Sequence, residues 1–347
     1  MIEASDNAPR LPRRPSGRHA GETGRDDHRS SRHWQAVWAQ ALAILGSALA
    51  LGGLLAPADA RAWGGVGHEI ICELAYERLS DAGRALVDDI RAAGGMDEPA
   101  DFHETCIWPD KVRRSGYRGT RQYHFLNAPK GAPSIDLARD CDALDCVPVA
   151  VQRYAAIVAR EPLDLDSARR ERAEALRFLG HFVGDLHQPL HIGHNEDLGG
   201  NRLRVTWFGD DGSFVRPIQL HYVWDVKLPE RAGYGSPESA ATLKRRLERH
   251  DASAWMDFDL IGWTAESRAL GEIYAYRHAD GSDVRTGDDL AQEYFDHAWG
   301  AAELQLMRAA VRLAYLIDAA ADGSLPRNMV GLTPAVAEPT PSPDALP

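Results

Sequence analysis

The sequence predicts a mainly α-helical fold, a single helical domain with one small β-hairpin. Over most of the chain after residue 62, apolar residues recur three and four positions apart, which is the spacing of an amphipathic helix. Alternation of apolar and polar residues is confined to residues 202–220, around Gly209-Asp210-Asp211-Gly212, and is typical of a hairpin. Residues 63–347 are enough for one large hydrophobic core, and the sequence has no evident internal repeat.

Helical periodicity is clearest in five segments. They span residues 70–87, 147–158, 173–186, 240–247 and 290–320. Pro189 ends the third of these helices, because proline lacks a donor N–H and disfavours the helical conformation of the residue before it. His191 is therefore expected on the following loop. A short helical segment, residues 221–225, follows the hairpin and precedes Pro229.

The first 62 residues are predicted to be a secretory signal peptide. Residues 9–33 are polar and contain seven arginines, residues 41–56 are almost wholly apolar, and Ala60-Arg61-Ala62 is a small-residue cleavage site. We expect cleavage after Ala62 and export to the periplasm or the medium. An uncleaved N-terminal anchor is the alternative, but the apolar run is short for a membrane span.

The other end of the chain, residues 326–347, is predicted to be a disordered proline-rich tail. From Gly331 onwards the sequence has five prolines and no periodic apolar pattern. The folded domain is therefore expected to span residues 63–325.

Charge and cysteine content restrict the class of protein. The whole chain has a net charge of −12, and residues 63–347 keep 31 of its 39 basic and 45 of its 51 acidic residues, a net charge of −14. Such a protein lacks a broadly basic surface for a polyanion, so any attraction has to be local. Four cysteines in an exported protein favour two disulfides, Cys141–Cys146 and, with the remaining pair, Cys72–Cys106.

Two histidine–aspartate pairs are the strongest indication of function. His181 with Asp185, and His221 with Asp225, are each four residues apart, so each pair can present an imidazole and a carboxylate on one face of a helix. These groups are suitable zinc ligands, and together with His191 they exceed the three or four protein ligands of one zinc ion. The sequence therefore predicts more than one metal ion.

Further candidate ligands are weak when each is taken alone. His68 follows Trp63 closely, and cleavage after Ala62 would give Trp63 a free α-amino group, which can deprotonate and bind a metal near neutral pH. Asp110 has the alternative role of a helix cap, and His124 that of an ordinary core histidine. The complete candidate set is Trp63, His68, Asp110, His124, His181, Asp185, His191, His221 and Asp225.

The other histidines are not predicted to be ligands. His187 is six residues from His181 and would face elsewhere on a continuing helix. The rest lack a partner at ligand spacing: His103, His194, His250, His278 and His297.

With these residues in place, the sequence resembles the zinc-dependent single-strand nucleases of fungi and plants, the nuclease S-one and nuclease P-one family, which also has bacterial members. The resemblance covers nearly all of the predicted domain in one order. The matching segments are residues 63–68, 108–110, 124–125, 176–185, 188–191, 199–201, 220–221 and 224–225. The resemblance implies a fold like that of nuclease P-one and zinc-dependent phospholipase C.

The resemblance also implies a centre of three zinc ions. The first would be bound by Asp110, His124, His181 and Asp185, the second by His191, His221 and Asp225, and the third by the Trp63 amino and carbonyl groups, His68 and a bridging Asp185. Three zinc ions and three carboxylates leave a formal charge of about +3, which reconciles an acidic protein with a polyanionic substrate. A hydroxide held between two zinc ions would be the nucleophile.

The implied activity is endonuclease cleavage of single-stranded DNA and RNA to 5′-phosphate products, with 3′-nucleotidase activity, by a protein expected to be a monomer. Arg113 and Asn201 would contact the scissile phosphate, and Phe125 and Asn127 would stack on and hydrogen-bond a base. The fungal members have Asp at the place of Asn127, so the base preference stays open. The candidate catalytic residues are Asp110, Asp185, Arg113 and Asn201.

Two alternatives stay open. A zinc-dependent phospholipase C has a similar fold and an N-terminal Trp at a three-zinc site, although Asp225, the Phe125-x-Asn127 pattern and residues 199–201 favour a nuclease. A non-catalytic exported zinc-binding protein would need the same ligands, but that role gives no reason for Arg113 and Asn201 to accompany them.

Overall fold

The structure is a computed structural model that describes residues 63–94, 102–113, 116–161, 165–235 and 238–331. Within these ranges the chain is mainly helical with a few short strands, which confirms the predicted fold class. The predicted signal peptide and residues 332–347 of the predicted tail lie outside the described residues. None of the described helices is both long enough and apolar enough to cross a membrane.

The described elements are numbered in chain order. The helices are α1 (Gly65–Arg78), α2 (Asp81–Ala93), α3 (Phe102–Thr105), α4 (Trp108–Val112), α5 (Leu137–Asp140), α6 (Val147–Val158), α7 (Asp166–Leu186), α8 (Leu220–Tyr222), α9 (Leu228–Arg231), α10 (Glu238–Leu247), α11 (Leu260–Leu270) and α12 (Gln292–Asp322). Short 3-10 turns span Arg118–His124, Asp142–Leu144, Pro189–Ile192 and Ala252–Trp255, and π-helical turns span Val223–Lys227 and Gly271–Ala275. The strands are β1 (Thr206–Trp207), β2 (Gly212–Ser213), β3 (Arg216–Pro217) and β4 (Asp289–Leu290).

The 31-residue helix α12 lies at the centre of the core. It is buried along most of its length and packs against α1, α2, α6 and α7. Because α1 and α7 both bury apolar side chains against this helix, their relative position is set by the core. These two helices carry three of the candidate ligands.

Four of the five predicted helical segments are confirmed, as α6, α7, α10 and α12. The single helix predicted over residues 70–87 is wrong, because the chain breaks at Leu79-Ser80 and forms α1 and α2. Ser80 has extended backbone angles, and its hydroxyl oxygen accepts a hydrogen bond from Gly83 N–H at 3.1 Å, as in an N-cap. The same hydroxyl donates to Asp318 at 2.7 Å, which ties the break to α12.

Helix α11 is not predicted by the apolar spacing. Its buried face includes the polar or charged side chains of Thr264, Ser267 and Arg268. These residues interrupt the apolar stripe on which the prediction of an amphipathic helix depends.

Helix α1 approaches α7 closely at two glycines of α7. A Cβ at Gly184 would lie 2.7 Å from His68 Nδ1, and a Cβ at Gly180 would lie 2.6 Å from Cys106 Sγ. The predicted Cys72–Cys106 disulfide is present and packs against Gly180. The absence of side chains at these two positions therefore sets the short spacing between α1 and α7.

The predicted hairpin is confirmed as an antiparallel pair of strands, but the region contains two tight turns. An antiparallel bridge between Trp207 and Asp210 closes the first turn, which includes Gly209, and β2 and β3 pair with Ser213 opposite Arg216, so the second turn follows β2. β1 pairs in parallel with β4, where Thr206 lies opposite Asp289, 83 residues further along the chain. A local alternation pattern carries no information about such a distant partner.

The predicted domain boundary at residue 325 lies too early. Met329 and Val330 are buried in the core, and their backbone N–H groups donate to Gln152 Oε1 on α6 at 2.6 and 3.1 Å. Burial of two apolar side chains and pairing of the backbone offset the entropy cost of ordering this segment. The packed part of the chain therefore extends to at least Val330.

The second predicted disulfide, Cys141–Cys146, is also present and precedes α6. It joins residues five apart in sequence, whereas Cys72–Cys106 joins residues 34 apart. A longer closed loop restricts the unfolded chain more, so the two disulfides should differ in their contribution to stability.

Replacing Cys72 and Cys106 together by alanine is expected to lower the free energy of unfolding by about 4 kcal/mol, against about 2 kcal/mol for the Cys141→Ala, Cys146→Ala pair. Denaturant unfolding followed by circular dichroism, at one fixed metal concentration for all variants, measures the difference. Equal losses for the two pairs would contradict the explanation from loop length.

Candidate metal centre

The eight side chains predicted to be ligands come from seven elements. They are His68 on α1, Asp110 on α4, His124 at the end of the Arg118–His124 turn, His181 and Asp185 on α7, His191 in the Pro189–Ile192 turn, His221 on α8 and Asp225 in the Val223–Lys227 turn. All eight are buried. They form three groups, and within each group the candidate ligand atoms lie within 4.8 Å of one another: His68, His181 and Asp185; Asp110, His124 and His181; and His191, His221 and Asp225.

Asp185 lies at the centre of the site and faces four histidines. Its Oδ2 is 2.9 Å from His124 Nδ1 and 3.2 Å from His181 Nε2. Its Oδ1 is 3.4 Å from His68 Nε2 and 3.5 Å from His191 Nδ1. The two oxygens of one carboxylate therefore face two different pairs of histidines.

Both predicted histidine–aspartate pairs lie at contact distance. His181 Nε2 is 3.2 Å from Asp185 Oδ2 on α7, and His221 Nε2 is 3.3 Å from Asp225 Oδ2. The second pair is not on a regular α-helix, because α8 continues into the π-helical turn that contains Asp225. Such turns are rare and occur frequently at functional sites.

Backbone carbonyl groups orient three of the histidines. The contacts are His181 Nδ1 with Cys106 O at 2.8 Å, His191 Nδ1 with His124 O at 2.6 Å, and His221 Nδ1 with Gly199 O at 2.6 Å. A carbonyl oxygen only accepts hydrogen bonds, so each Nδ1 carries the proton. In the neutral imidazole, each Nε2 then keeps its lone pair for a metal.

Buried polar atoms without a hydrogen-bond partner are concentrated at this site. In the described part of the chain they include both ring nitrogens of His68, Asp110 Oδ1, His124 Nε2, Asp185 Oδ1, His191 Nε2 and Asp225 Oδ2. Each unpaired buried atom costs about 1–3 kcal/mol, so this concentration calls for a ligand. Imidazole nitrogen and carboxylate oxygen suit zinc and related divalent cations, and the residues fit a metal centre.

The protonation states are consistent with that assignment. Burial lowers the pKa of His191 to about 3 and that of His221 to about 4, so both imidazoles are neutral at ordinary pH. Burial also raises the pKa of Asp225 well above its usual value, and the nearby Asp185 and Asp110 add to this effect. A bound cation would supply the positive charge that an ionised Asp225 needs.

Trp63, the predicted first residue of the mature chain, lies beside the centre. Its side chain is fully buried, and a Cβ at Gly67 would lie 2.7 Å from Trp63 Cβ. The N–H of the next residue, Gly64, donates to Asp225 O at 2.7 Å. The backbone of Trp63 is therefore one residue away from a direct contact with a candidate ligand.

The structure places one of the two predicted phosphate-contacting side chains against a candidate ligand. Arg113 Nη1 is 3.3 Å from Asp110 Oδ1, and after burial the positive charge of Arg113 also lowers the pKa of His221. Asn201 lies two residues after Gly199, whose carbonyl group orients His221, and its side-chain amide donates to Leu198 O at 2.9 Å.

The predicted base-binding residues lie on a segment that runs beside the Pro189–Ile192 turn. Leu126 N–H donates to His191 O at 2.8 Å. Leu126, which lies between Phe125 and Asn127, is therefore hydrogen-bonded to the backbone of the candidate ligand His191. Asn127 Oδ1 is buried without a partner among the described residues, and a Cβ at Gly199 would lie 3.3 Å from it.

Two histidines that were not predicted to be ligands have other partners. His187 Nδ1 donates to Val183 O at 2.7 Å, outside the three groups. Despite burial, hydrogen bonds with Asp197 and Glu272 raise the pKa of His194 to about 9. The centre has a further contact that no spacing rule predicts. Gln188 Nε2 donates a hydrogen bond to Asp225 Oδ1 at 2.5 Å.

Comparison with known proteins agrees with this geometry. A family model described as S1/P1 Nuclease matches residues 63–322. Endonuclease 5 of Arabidopsis thaliana is 30% identical over 281 residues, covering 74% of this chain and 89% of that protein. Nuclease S1 of Aspergillus oryzae is 28% identical over 277 residues, covering 74% and 91%. Nuclease P1 of Penicillium citrinum is 28% identical over 277 residues, covering 74% and 97%.

These matches extend over most of this chain and nearly the whole of each relative, and the family match contains all eight clustered side chains. The chain therefore belongs to the S1/P1 nuclease family, and it is a metal-dependent hydrolase that acts on the phosphodiester bonds of nucleic acids.

Proposed function

We propose that this protein is an exported, monomeric, zinc-dependent endonuclease that hydrolyses single-stranded DNA and RNA to 5′-phosphate products, with 3′-nucleotidase activity. The observation that carries the proposal is the set of three adjoining histidine–aspartate groups, each with its ligand atoms within 4.8 Å. The endonuclease and nuclease names of the relatives agree with it.

Three zinc ions fit the donor set. We assign one to Asp110, His124, His181 and Asp185, one to His191, His221 and Asp225, and one to the Trp63 amino and carbonyl groups, His68 and Asp185. When bound, zinc supplies positive charge for the phosphate and makes water a nucleophile near neutral pH. The position of Asp185, with one oxygen near His181 and the other near His68, supports its sharing between two ions.

The chain's own residues position the phosphate. Arg113, held 3.3 Å from Asp110, brings a permanent positive charge to the edge of the centre. Its guanidinium can donate to the phosphoryl oxygens as negative charge develops on them. Asn201, on the loop that also orients His221, donates one amide N–H to Leu198 O and keeps a second for the phosphate. These two side chains would therefore hold the phosphate against the centre.

The base site gives a reason for a preference for single strands. Phe125 is partly buried and Asn127 has an unpaired side-chain oxygen. A base can stack on Phe125 and hydrogen-bond Asn127 only when it is unpaired, and stacking is tolerant of base identity. A duplex would have to open first.

The zinc-loaded protein is expected to cleave single-stranded DNA and RNA faster than the matching duplexes, and chelation of zinc is expected to abolish cleavage. Mass spectrometry measures the zinc content, which is expected to be three ions per chain. End-group analysis of the cleavage products is expected to find 5′-phosphate ends. Cleavage of phosphatidylcholine while single-stranded nucleic acids survive would support a phospholipase instead. Zinc binding without turnover on either substrate would support a binding protein.

Asp185→Asn is expected to be the most damaging single change of a ligand. It removes the charge that faces four histidines, and we expect the cleavage rate to fall more than about 100-fold and the zinc content to decrease. This loss exceeds the usual effect of removing a residue that only hydrogen-bonds a metal ligand. Asp88→Asn is a matched control, because Asp88 is exposed on α2 and bonds only to Tyr76 in the contacts described here. Wild-type zinc content and rate in Asp185→Asn would disprove the shared ligand.

An N-terminal extension tests the proposed role of Trp63. Retention of Ala62 converts the α-amino group of Trp63 into an amide, which cannot bind a metal in the same way. We expect the zinc content to fall from three to two ions per chain and cleavage to fall at least about tenfold. The control adds one alanine after Pro347. Mass spectrometry verifies both termini, and full activity with three zinc ions in the extended protein would contradict the assignment.

A further inference from the structure

The Asp225 carboxylate is held by a buried amide side chain. Gln188 is fully buried, and its Nε2 donates to Asp225 Oδ1 at 2.5 Å. Asp225 Oδ2 has no hydrogen-bond partner among the described residues and lies 3.3 Å from His221 Nε2. The two oxygens of this carboxylate are therefore in different environments: Oδ1 is paired with the amide and lies 3.9 Å from His191 Nε2, whereas the unpaired Oδ2 lies closer to a candidate ligand, His221.

The orientation of the Gln188 amide is fixed by a second hydrogen bond. Its Oε1 accepts from Leu190 N–H at 2.6 Å. A glutamine side chain has one accepting and one donating end, so the bond to Leu190 N–H leaves the donating end for Asp225. The backbone N–H of Gln188 also donates to Asp185 O at 3.0 Å. Hydrogen bonds consequently fix the orientation of both the backbone and the side chain of Gln188.

The chain around Gln188 is attached to two other helices. Ser267 Oγ on α11 donates to Leu186 O at 2.6 Å. Gln305 Nε2 on α12 lies 3.2 Å from His187 O and 2.8 Å from Ser267 Oγ. These contacts satisfy carbonyl groups that the end of α7 leaves without helical partners. They also hold residues 186–188 against the core.

We propose that Gln188 is a positioning residue that orients Asp225 so that Oδ2 is the oxygen offered to the metal bound by His191 and His221. The identity of that metal as zinc rests on the proposed function. An amide suits this position for an electrostatic reason. A glutamate would place a second carboxylate against Asp225 Oδ1 in a buried site, and an apolar residue would leave Oδ1 unpaired.

Gln188→Met tests the proposal, because it nearly preserves side-chain length while removing both hydrogen bonds. The holoenzyme is dialysed against graded concentrations of a chelator, and the zinc retained per chain is counted. We expect the first zinc ion to be lost at a chelator concentration about 10–100-fold lower than in the wild type, the usual effect of removing a partner of a metal ligand. Zinc retention identical to that of the wild type would overturn the proposal.

Gln152→Met is the matched control. Gln152 Oε1 accepts hydrogen bonds from Met329 N–H and Val330 N–H, so its replacement also removes two hydrogen bonds from the core without touching the metal centre. This variant should retain zinc like the wild type. An equal loss of zinc in both variants would show that general destabilisation, and not the orientation of Asp225, explains the effect.

An Asp225→Asn background shows whether Gln188 acts through Asp225. If it does, Gln188→Met should cause no further loss of zinc in that background, whereas two independent effects would add and would overturn the proposal. If Gln188→Met does not fold, Gln188→Asn keeps the amide one methylene shorter and should retain zinc less well than the wild type. A zinc-loaded wild-type protein that leaves single-stranded DNA intact would refute the proposed function alone, since zinc retention is measured without substrate.

Discussion

The structure depends on one buried carboxylate, that of Asp185, and the four histidines that face it. Burial opposes its ionisation, but the surrounding histidines, His181 foremost, hold its pKa well below the usual value. The ionised carboxylate in turn raises the pKa of His181 against the effect of burial. Because these histidines come from α1, α7 and two 3-10 turns, a single charge makes the separate elements of the site interdependent.

Close packing of helices supplies the distances that this interaction needs. Gly180 and Gly184 let α1 approach α7, so that the rings of His68 and His181 stack with centroids 3.9 Å apart. The Cys72–Cys106 disulfide supports both the packing of α1 and the orientation of His181. Cys106 is bonded to Cys72 on α1, while its carbonyl oxygen accepts from His181 Nδ1 at 2.8 Å. Stability of the core and orientation of the ligands therefore rest partly on the same residues.

Local features were predictable from the sequence wherever the cause is itself local. The four-residue spacing of His181 and Asp185 survives in the structure because one helical turn brings these residues together. The apolar spacing continues across Ser80 and therefore does not predict the break there, although a serine hydroxyl is a good N-cap. The pairing of β1 with β4 and the burial of Met329 depend on partners far along the chain, which no local pattern encodes.

The sequence alone determined the types of candidate ligand, their order, their spacing within each turn and the acidic charge of the chain, because these are properties of neighbouring residues and of composition. The tertiary structure decided which side chains share a group, which ring nitrogen faces the centre and that Gln188 holds Asp225. Those outcomes require elements distant in sequence to bury their apolar faces together. Only that packing places donors from seven elements within a few ångströms of one another.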